Sequence, residues 1–510
     1  RADSLVTRPE LGQAFARGSR LASVRGQRFT RSTRIPLAPS REHRRGNFRM
    51  NAFFTSRYAA AGLALFASTL PGRAAAQHIF GDGFEQAASA CAAPQHFASA
   101  LAPSAFVHVA TTGNNTTGNG SPGNPYATLT RAAQDAVPGS AIVIHAGTYA
   151  GGLFIADLRG TAGQPIWIGG AAGEAAPLFQ GGSNAIQFQR PAYLVLHDLR
   201  VSGSSANGIN IDDGSEYSNA LAAHHVAIER LDIRDIGSTG NQDCLKISGL
   251  NDFWILDSAF ENCGDGGSGI DFVGAHRGLV FGNSLTDTGS SAVQTKGGSE
   301  DIEIRANRIV HSGARALNLG GSTGFEFFRP PLSTTQPNAE ARAVRALANL
   351  IVGAQGSINF VGCVDCVAAH NTVVNPDRWL VRILQETTTS GGFTFEPASG
   401  GLLQNNLFVF RRSDTGSTPI NVGGNTDPNS FVWLNNLFYA SDQPGQSDPN
   451  APGSVSGSVL GMNPQIAAPD YAIAAGSPAA GAGIAFEPGL ADLGGACFAT
   501  PPSIGAWERP

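Results

Sequence analysis

The chain repeats one short strand pattern, in which two apolar side chains flank a polar one. The copies are Ala185-Ile-Gln-Phe, Gly208-Ile-Asn-Ile, Cys244-Leu-Lys-Ile, Gly269-Ile-Asp-Phe, Ala292-Val-Gln-Thr, Ala316-Leu-Asn-Leu, Ser357-Ile-Asn-Phe, Leu380-Val-Arg-Ile and Pro419-Ile-Asn-Val. Alternate side chains of a strand point to opposite faces, so each copy sends its apolar residues inward and its polar residue outward. Copies that return about every 20 to 35 residues between Gly, Ser and Asn turns predict a solenoid of short strands.

A second pattern follows most of these copies at a near-constant distance and places an asparagine among apolar residues. Its copies are Phe281-Gly-Asn283-Ser-Leu, Arg305-Ala-Asn307-Arg-Ile, Ala369-His-Asn371-Thr-Val, Gln404-Asn-Asn406-Leu-Phe and Leu434-Asn-Asn436-Leu-Phe. Asparagine tolerates the left-handed backbone of a tight corner. Stacked asparagine amides also bond to one another as a ladder. We therefore expect these asparagines to mark the corners of successive coils.

One coil of such a solenoid cannot bury its own apolar face, so the coils must stack. The sequence thus predicts an all-β, single-stranded parallel β-helix over residues 106–508. We expect it to form one long domain and the protein to be a monomer. Only 14% of the 510 residues are charged and 64 are glycine, which suits a chain of strands and turns. A formal net charge of -5 provides no dominant basic surface, so nucleic acid is not expected as a partner.

The N-terminal residues differ in composition from the repeats. Residues 1–49 are rich in arginine and precede the first methionine, Met50, so we interpret them as a disordered or non-native extension. Residues 50–76 combine Arg57, an apolar stretch and a small-residue end at Ala74-Ala-Ala76, which is typical of a secretory signal peptide. The apolar stretch is too short to span a membrane. Residues 77–105 are expected to be a linker.

If the protein is exported, its location and the oxidation state of its cysteines can be predicted. Residues 78–85, His-Ile-Phe-Gly-Asp-Gly-Phe-Glu, resemble a mature-end motif of secreted proteins from some Gram-negative bacteria, which implies a secreted, periplasmic or cell-surface protein. Disulfides are chemically allowed there. The six cysteines admit 15 pairings, and the sequence does not choose among them. They are Cys91, Cys244, Cys263, Cys363, Cys366 and Cys497.

Both ends of the repeat region resemble a known group of proteins. The opening contains His108-Val-Ala-Thr-Thr-Gly, Ser121-Pro-Gly-Asn-Pro-Tyr and Pro138-Gly-Ser-Ala-Ile-Val-Ile, and the closing segment contains Ser503-Ile-Gly-Ala-Trp-Glu. These segments resemble those of secreted right-handed parallel β-helix proteins of the pectate-lyase-like superfamily. The resemblance implies a right-handed coil and a short capping helix near residues 129–136, which shields the first coil from water.

The outward positions of the repeats form the candidate site, because side chains of successive coils lie about 4.8 Å apart on one surface. Charged residues concentrate in the middle coils, which predicts a ligand groove near residues 243–320. We expect substrate contacts from Asn210, Asp212, Gln294, Asn318, Asn359 and Arg382. Nearby charged candidates are Asp243, Lys246, Asp265, Asp271, Lys296 and Arg315.

These residue types suit the cleavage of a uronic-acid polymer by β-elimination. The reaction needs the substrate carboxylate neutralised, by Ca²⁺ or by cations, and a base that removes the proton at C5. Asp243, Asp265 and Asp271 are candidate Ca²⁺ ligands, and Lys246 or Lys296 is the candidate base. Arg315 is the candidate cation that helps to neutralise the substrate carboxylate.

Two lyase families resemble these segments in part. Ser291-Ala-Val-Gln-Thr-Lys296 resembles the strand that carries the catalytic lysine in alginate lyases of the chondroitinase B type, although Ser291 stands where that family has acidic residues. Asp243 and Asp271 resemble the spaced calcium aspartates of family-nine pectate lyases, with Gly267 and Ser268 in place of a further aspartate pair. The resemblance implies a polysaccharide lyase that acts on an acidic polysaccharide.

Two alternatives remain open from the sequence. Hydrolysis by paired carboxylates remains open through Asp212, Asp243 and Asp271. The motifs of polygalacturonases and of alginate epimerases are absent from the chain. A non-catalytic glycan-binding surface protein or adhesin is the alternative from a different functional class.

Overall fold

The computed structural model describes Cys91, residues 93–237 and residues 239–509. These residues fall in one compact unit, which spans Ala74–Pro510. The predicted extension at 1–49 and the predicted signal peptide at 50–76 lie outside the described residues. In the described part of the chain, no helix has the length and apolar character needed to cross a membrane.

Short strands wind around a continuous apolar core and form three parallel sheets. The sheet that carries the outward polar column, here called the site sheet, has ten strands. In chain order these are Leu153–Ala156, Ile186–Gln189, Ile209–Asp212, Leu245–Ser248, Ser268–Val273, Ser291–Lys296, Arg315–Gly320, Gly356–Val361, Trp379–Leu384 and Ile420–Val422. Each coil adds one strand to a sheet, so the architecture is a parallel β-helix.

The two other sheets complete each coil. The 15-stranded sheet contains Ala105–Val109, Ser140–Ile144, Ile166–Gly170, Ala192–His197, Ala223–Glu229, Leu250–Leu256, His276–Phe281, Ser299–Arg305, Ala341–Arg342, Arg345–Leu347, Cys363–Val364, Val367–Ala369, Leu402–Gln404, Val432–Leu434 and Ser454–Ser456. The 12-stranded sheet contains Thr148–Ala150, Leu178–Gln180, Arg200–Ser202, Asp232–Ile236, Ala259–Cys263, Ser284–Thr286, Arg308–Val310, Leu350–Val352, Thr372–Val374, Leu407–Phe410, Leu437–Ala440 and Val459–Leu460.

Few other elements interrupt the coils. A short antiparallel pair joins Ile466–Ala467 to Ala472–Ile473. The α-helices are Leu129–Asp135 and Arg412–Thr415, and the 3-10 turns are Phe325–Phe327, Pro428–Ser430 and Pro444–Gln446.

The predicted strand register is confirmed across the site sheet. The paired positions run from Gln187 through Asn210, Lys246, Asp271, Gln294, Asn318, Asn359 and Arg382 to Asn421. The inward residues on either side are buried, for example Ile270 and Phe272 at 0% exposure. The column begins one coil earlier than the pattern indicated, at Phe154, which pairs with Gln187.

The predicted asparagine ladder is confirmed at a corner of the coil. Each asparagine except the last donates its backbone N–H and its side-chain Nδ2 to Oδ1 of the asparagine one coil later, at 2.9–3.0 Å. The members are Asn283, Asn307, Asn349, Asn371, Asn406 and Asn436, of which the sequence pattern missed Asn349. These side chains are buried, so the ladder satisfies polar groups that water does not reach.

The left-handed backbone conformation was expected at the ladder asparagine, and this prediction was wrong by one residue. The left-handed conformation belongs to the residue before each ladder asparagine, for example Ala306, Ala348 and His370. The ladder asparagines themselves do not have a positive φ. The preceding residue therefore makes the turn.

Removing one ladder amide should destabilise the protein measurably. Asn349→Ala removes the acceptor of the Asn307 N–H, one of the three acceptors of Asn307 Nδ2, and the side-chain donor to the Ile304 carbonyl. Buried polar groups without partners cost about 1 to 3 kcal/mol each, so we expect a loss of about 3 kcal/mol in unfolding free energy. Chemical denaturation measures it, and the exposed Asn429→Ala is the matched control. A loss below about 0.5 kcal/mol would contradict the role of the ladder.

The predicted capping helix is confirmed as Leu129–Asp135, one residue shorter than expected. Its N-cap is Thr128, whose hydroxyl accepts from the Arg131 N–H at 3.3 Å. Leu129 and Ala132 are buried in the main core. The helix therefore covers the apolar end of the first coils.

The predicted linker is partly wrong, because the described part of it packs on the solenoid. Phe97 and Ala98 lie against Trp254 and its apolar neighbours on the outer face of the 15-stranded sheet. Cys91 forms a disulfide with Cys497 of the closing segment. The remaining disulfides join Cys244 to Cys263 and Cys363 to Cys366. The disulfide between Cys363 and Cys366 closes a segment of four residues.

Candidate functional site

A cleft of about 590 Å³ opens over the N-terminal half of the site sheet. Its floor is formed by outward side chains of successive coils, and its wall is formed by the segment that follows Gly320. Most of its lining is polar. The lining residues are Gln187, Gln189, Asn207, Asn210, Asp212, Asp213, Ser215, Tyr217, Asn241, Lys246, Ser248, Val273, Lys296, Ser322, Thr323, Gly324, Phe327 and Arg329.

Two buried side chains, Arg329 and Glu340, hold the wall of the cleft in place through an ion pair and hydrogen bonds. Arg329 donates to both carboxylate oxygens of Asp213, at 2.8 and 3.1 Å, and its guanidinium lies over the Tyr217 ring at 4.2 Å. The buried Glu340 carboxylate accepts from the Gly297 N–H at 2.8 Å and from the Thr323 N–H at 2.9 Å. These contacts hold residues 321–340 against coils on either side of the cleft.

Four charged residues form an alternating cluster on the cleft floor. The Lys246 ammonium contacts the Asp271 carboxylate and lies 3.5 Å from Asp243 Oδ2. The Lys296 ammonium lies 3.3 Å from Asp271 Oδ1. The carboxylate side chains are 1% exposed, whereas the lysine side chains are 19% and 15% exposed. The ammonium groups therefore face the cleft and the carboxylates lie beneath them.

The protein contains no lysines other than these two. The chain has 34 Lys and Arg residues, and every one except Lys246 and Lys296 is an arginine. Lysine carries a compact charge and can lose its proton, whereas arginine stays charged in proteins. The two lysines, which alone combine these properties, therefore lie in one cleft, and both contact the Asp271 carboxylate.

Burial and neighbouring charge shift the pKa values of the two carboxyl groups in opposite directions. Burial and the adjacent Asp271 raise the pKa of Asp243 from its ordinary value of 3.8 to about 6. Burial also raises the pKa of Asp271, but Lys246 and Lys296 outweigh it and the net pKa lies below its usual range. Burial lowers the pKa of Lys246, yet the Asp271 and Asp243 carboxylates reverse this and raise it. Lys246 is thus a permanent cation near neutral pH.

The raised pKa of Asp243 predicts a pH-dependent stability. The folded protein holds this proton more tightly than the unfolded chain, so stability falls as pH rises from about 4 to about 6. Above that window the ionised, buried carboxylate costs about 3 kcal/mol, because its pKa lies about two units above the ordinary value. Asp243→Asn removes the charge and keeps an acceptor for the Ser268 N–H. We expect this variant to melt higher than wild type at about pH 7.5 and equally at about pH 4. A pH-independent difference in melting temperature would contradict the assignment.

The three aspartates expected to bind Ca²⁺ do not lie together. Asp243 and Asp271 lie under the lysines, whereas Asp265 is exposed and accepts from the Gly240 N–H at 2.7 Å in a different depression, which it shares with Asp235 and Asn262. Within the described residues, no group of three or more His, Cys, Asp or Glu side chains could hold a metal ion. Two ammonium groups occupy the carboxylates that a cation would need. This donor set does not fit Ca²⁺.

The predicted substrate contacts divide between the cleft and the interior. Asn210 and Asp212 line the cleft, and Asp212 accepts from Gln187 at 2.8 Å and from Asn210 at 3.0 Å. Gln294 donates to Asp271 at 3.0 Å, so it supports the cluster. Asn318 and Asn359 are 0% exposed. For these two residues the expected role is wrong, because neighbouring coils cover them and their amides bond to Gln294, Leu317 and Gly356.

Two of the predicted cations lie away from this cleft. Arg315 begins its strand and pairs with Ser291, five residues before Lys296, which corresponds to about 16 Å along the sheet. Its guanidinium forms an ion pair with Glu386 and donates to Asn318 Oδ1 at 3.2 Å. Arg315 is therefore not adjacent to Lys296. Arg382 lies three coils beyond Lys296 and donates to Asn421 Oδ1 at 3.2 Å.

Sequence reasoning missed the cleft wall. Asp213, Tyr217, Phe327, Arg329 and Glu340 lie in turns or in the segment without strand periodicity, so the repeat pattern gave them no signal. Asp213 directly follows the strand Ile209–Asp212, and its 116-residue separation from Arg329 is visible only in three dimensions.

A family model described as "Right handed beta helix region" matches residues 184–329, which include the cleft. The chain is a right-handed parallel β-helix protein. The predicted hand is thus confirmed. No curated protein matches the chain.

Solved structures with a similar course of the chain include three carbohydrate-active enzymes. Pectate lyase Pel9A is 15% identical, with a TM-score of 0.49 over 80% of this chain and 98% of the other. An alginate lyase from Paenibacillus sp. str. FPU-7 is 16% identical, with a TM-score of 0.42 over 70% and 99%. The GH136 lacto-N-biosidase from Eubacterium ramulus is 12% identical, with a TM-score of 0.41 over 65% and 67%. At these identities and TM-scores the similarity concerns the course of the chain and not its activity.

Proposed function

We propose that the protein is an exported polysaccharide lyase that cleaves an acidic, uronate-containing polysaccharide by β-elimination in the cleft over the site sheet. The observation that carries the proposal is the placement of both lysines of the chain on this floor, with their carboxylate partners buried beneath them. An anionic sugar entering the cleft meets ammonium groups first. The amide and carboxylate groups of Asn210 and Asp212 offer hydrogen bonds to its hydroxyls.

The two lysines are assigned different tasks. Lys246 contacts two carboxylates that keep it charged, so it neutralises the carboxylate of the bound uronate. Lys296 contacts one carboxylate and lies at the end of its strand, so it is the base that removes the C5 proton. Lys296 acts in its uncharged amine form and becomes an ammonium when it takes the C5 proton. The C5–H electron pair forms the C4–C5 double bond, the C4–O bond breaks, and the leaving oxygen takes up a proton from water. No step requires a metal ion.

A substrate screen tests the proposal. Purified protein is incubated with alginate, pectate and glycosaminoglycans, and the ultraviolet absorbance of unsaturated chain ends is followed. Chelator is added in a parallel reaction and is expected to leave the rate unchanged, because the aspartates do not form a Ca²⁺ ligand set. Wild-type protein that yields no unsaturated ends from any uronic polymer would contradict the proposal.

The alternative is a non-catalytic glycan-binding surface protein. It is favoured by the ion pairing of both lysines, since a paired ammonium binds anions without reacting. Amine-selective reductive methylation separates the two functions, because Lys246 and Lys296 are the only side-chain targets. Methylation keeps the charge. We expect it to slow cleavage, because the added methyl groups hinder the approach of the Lys296 nitrogen to C5, and to retain binding of a polyuronate. A binding module would show unchanged binding and no cleavage either before or after methylation.

A further inference from the structure

A second cluster of cations lies on the same sheet, three coils beyond Lys296. The strand Trp379–Leu384 follows Ser291–Lys296 after two intervening strands, which places it about 14 Å further along the coil stack. The guanidinium groups of Arg378 and Arg382 each lie 4.2 Å from the centroid of the Trp379 ring. One indole therefore holds two cations at the surface.

Two neighbouring residues, Asn421 and Gly356, determine where the Arg382 side chain lies. Asn421 Oδ1 accepts from its Nε at 3.2 Å. A Cβ at Gly356 would lie 2.9 Å from Cδ of Arg382, so glycine at this position leaves room for the arginine stem to cross the preceding strand. With the stem packed and Nε bonded, the terminal nitrogens of the guanidinium remain free to bind a ligand.

The charge around this arginine is not balanced. Neither Arg378 nor Arg382 forms an ion pair with any residue that the structure describes, and the nearby Glu386 is paired with Arg315. Asp377 is exposed and likewise lacks an ion pair among the described residues. Burial and the Arg315 charge lower the pKa of Arg382, Glu386 offsets part of this effect, and the Arg378 charge lowers the pKa further. An anion placed between these guanidiniums would relieve this repulsion.

We propose that Arg378, Trp379 and Arg382 form a distal subsite that binds a carboxylate of the same polysaccharide chain whose bond is cleaved at Lys296. This inference rests on the proposed function for the identity of the polymer. Lys246, which neutralises the uronate at the cleavage site, and Arg382 lie in the same paired column, five coils or about 24 Å apart. A pyranose ring spans about one coil spacing. The polymer therefore runs along the coil stack, and the enzyme prefers chains long enough to reach both points.

Chain length provides the test. Arg378→Gln with Arg382→Gln removes both charges and keeps the indole, and Arg200→Gln with Arg234→Gln on the 12-stranded sheet removes the same charge elsewhere. For long uronate chains we expect the first pair to raise KM about tenfold with kcat unchanged, since charge-assisted contacts are lost only in binding. Trimers, which are too short to reach the subsite, should show the wild-type KM. The control pair should resemble wild type throughout.

Binding to immobilised polyuronate is measured beside cleavage, so that the two proposals fail separately. Cleavage by wild type with an unchanged KM in the double variant overturns the subsite alone. Binding that the double variant loses, without cleavage by wild type, supports the subsite and overturns the lyase. Inorganic sulfate is the third probe: equal occupation by sulfate and by polymer, regardless of chain length, would identify a free-anion site and overturn the polymer subsite. A wild-type protein that neither binds nor cleaves overturns both.

Discussion

Ile270→Asp should lower the unfolding free energy by about 3 to 5 kcal/mol, because it places an unpaired carboxylate in the core of a central coil. Ile270 is 0% exposed and stacks between Leu245 and Val293 of the neighbouring coils, both also at 0%. The Asp243–Lys246–Asp271 cluster lies on the opposite face of the sheet, so no cation of that cluster can pair with the new charge. Urea denaturation followed by circular dichroism measures the loss.

Phe154→Asp is the matched control for this substitution. Phe154 belongs to the same sheet, pairs with the outward Gln187 and is 52% exposed. We expect its replacement to change the unfolding free energy by less than about 0.5 kcal/mol. Equal losses in the two variants would show that the assignment of inward and outward faces is incorrect.

The register of the site sheet could be predicted because two local properties of the chain fix it. A strand alternates its side chains with a period of two, and a shift of one residue would expose every inward residue. Ile270 and Phe272 therefore fix the outward position of Asp271 between them, and the same holds in each coil. The asparagine ladder is equally local, since each asparagine bonds only to the next coil.

The accessibility of the outward residues could not be predicted from the same pattern. Asn318 and Asn359 point away from the core, yet Arg315 donates to Asn318 and the Arg382 stem lies close to Gly356 beside Asn359. Long side chains of adjacent coils cover short ones. Outward direction in a strand therefore does not establish contact with solvent.

The cleft wall lies beyond sequence reasoning for a different reason. Residues 321–340 carry no periodic pattern, and their position depends on the Arg329–Asp213 contact across 116 residues. Only the stacking of coils brings these side chains together. The three candidate calcium ligands are separated for a similar reason, since Asp265 is close to Asp243 and Asp271 in sequence but faces a different depression.

Lys296 substitutions should have the largest effect on activity. Lys296→Ala removes the proposed base, so we expect kcat/KM for the cleaved polymer to fall by about 10² to 10⁴-fold. The side chain lies outside the core, and Lys246 remains to pair with Asp271. The melting temperature should therefore change little. Formation of unsaturated ends gives the rate, and thermal denaturation reports the fold.

Arginine replacements at the two lysines separate a base from a charge. Arginine keeps the charge but does not release its proton, so Lys296→Arg should be as inactive as Lys296→Ala. Lys246 is assigned to neutralisation, and Lys246→Arg should retain part of the activity that Lys246→Ala loses. The reverse order, with Lys296→Arg active and Lys246→Arg inactive, would exchange the two roles. Full activity in Lys296→Ala would exclude it as the base and leave Lys246 as the candidate, because no other lysine exists in the chain.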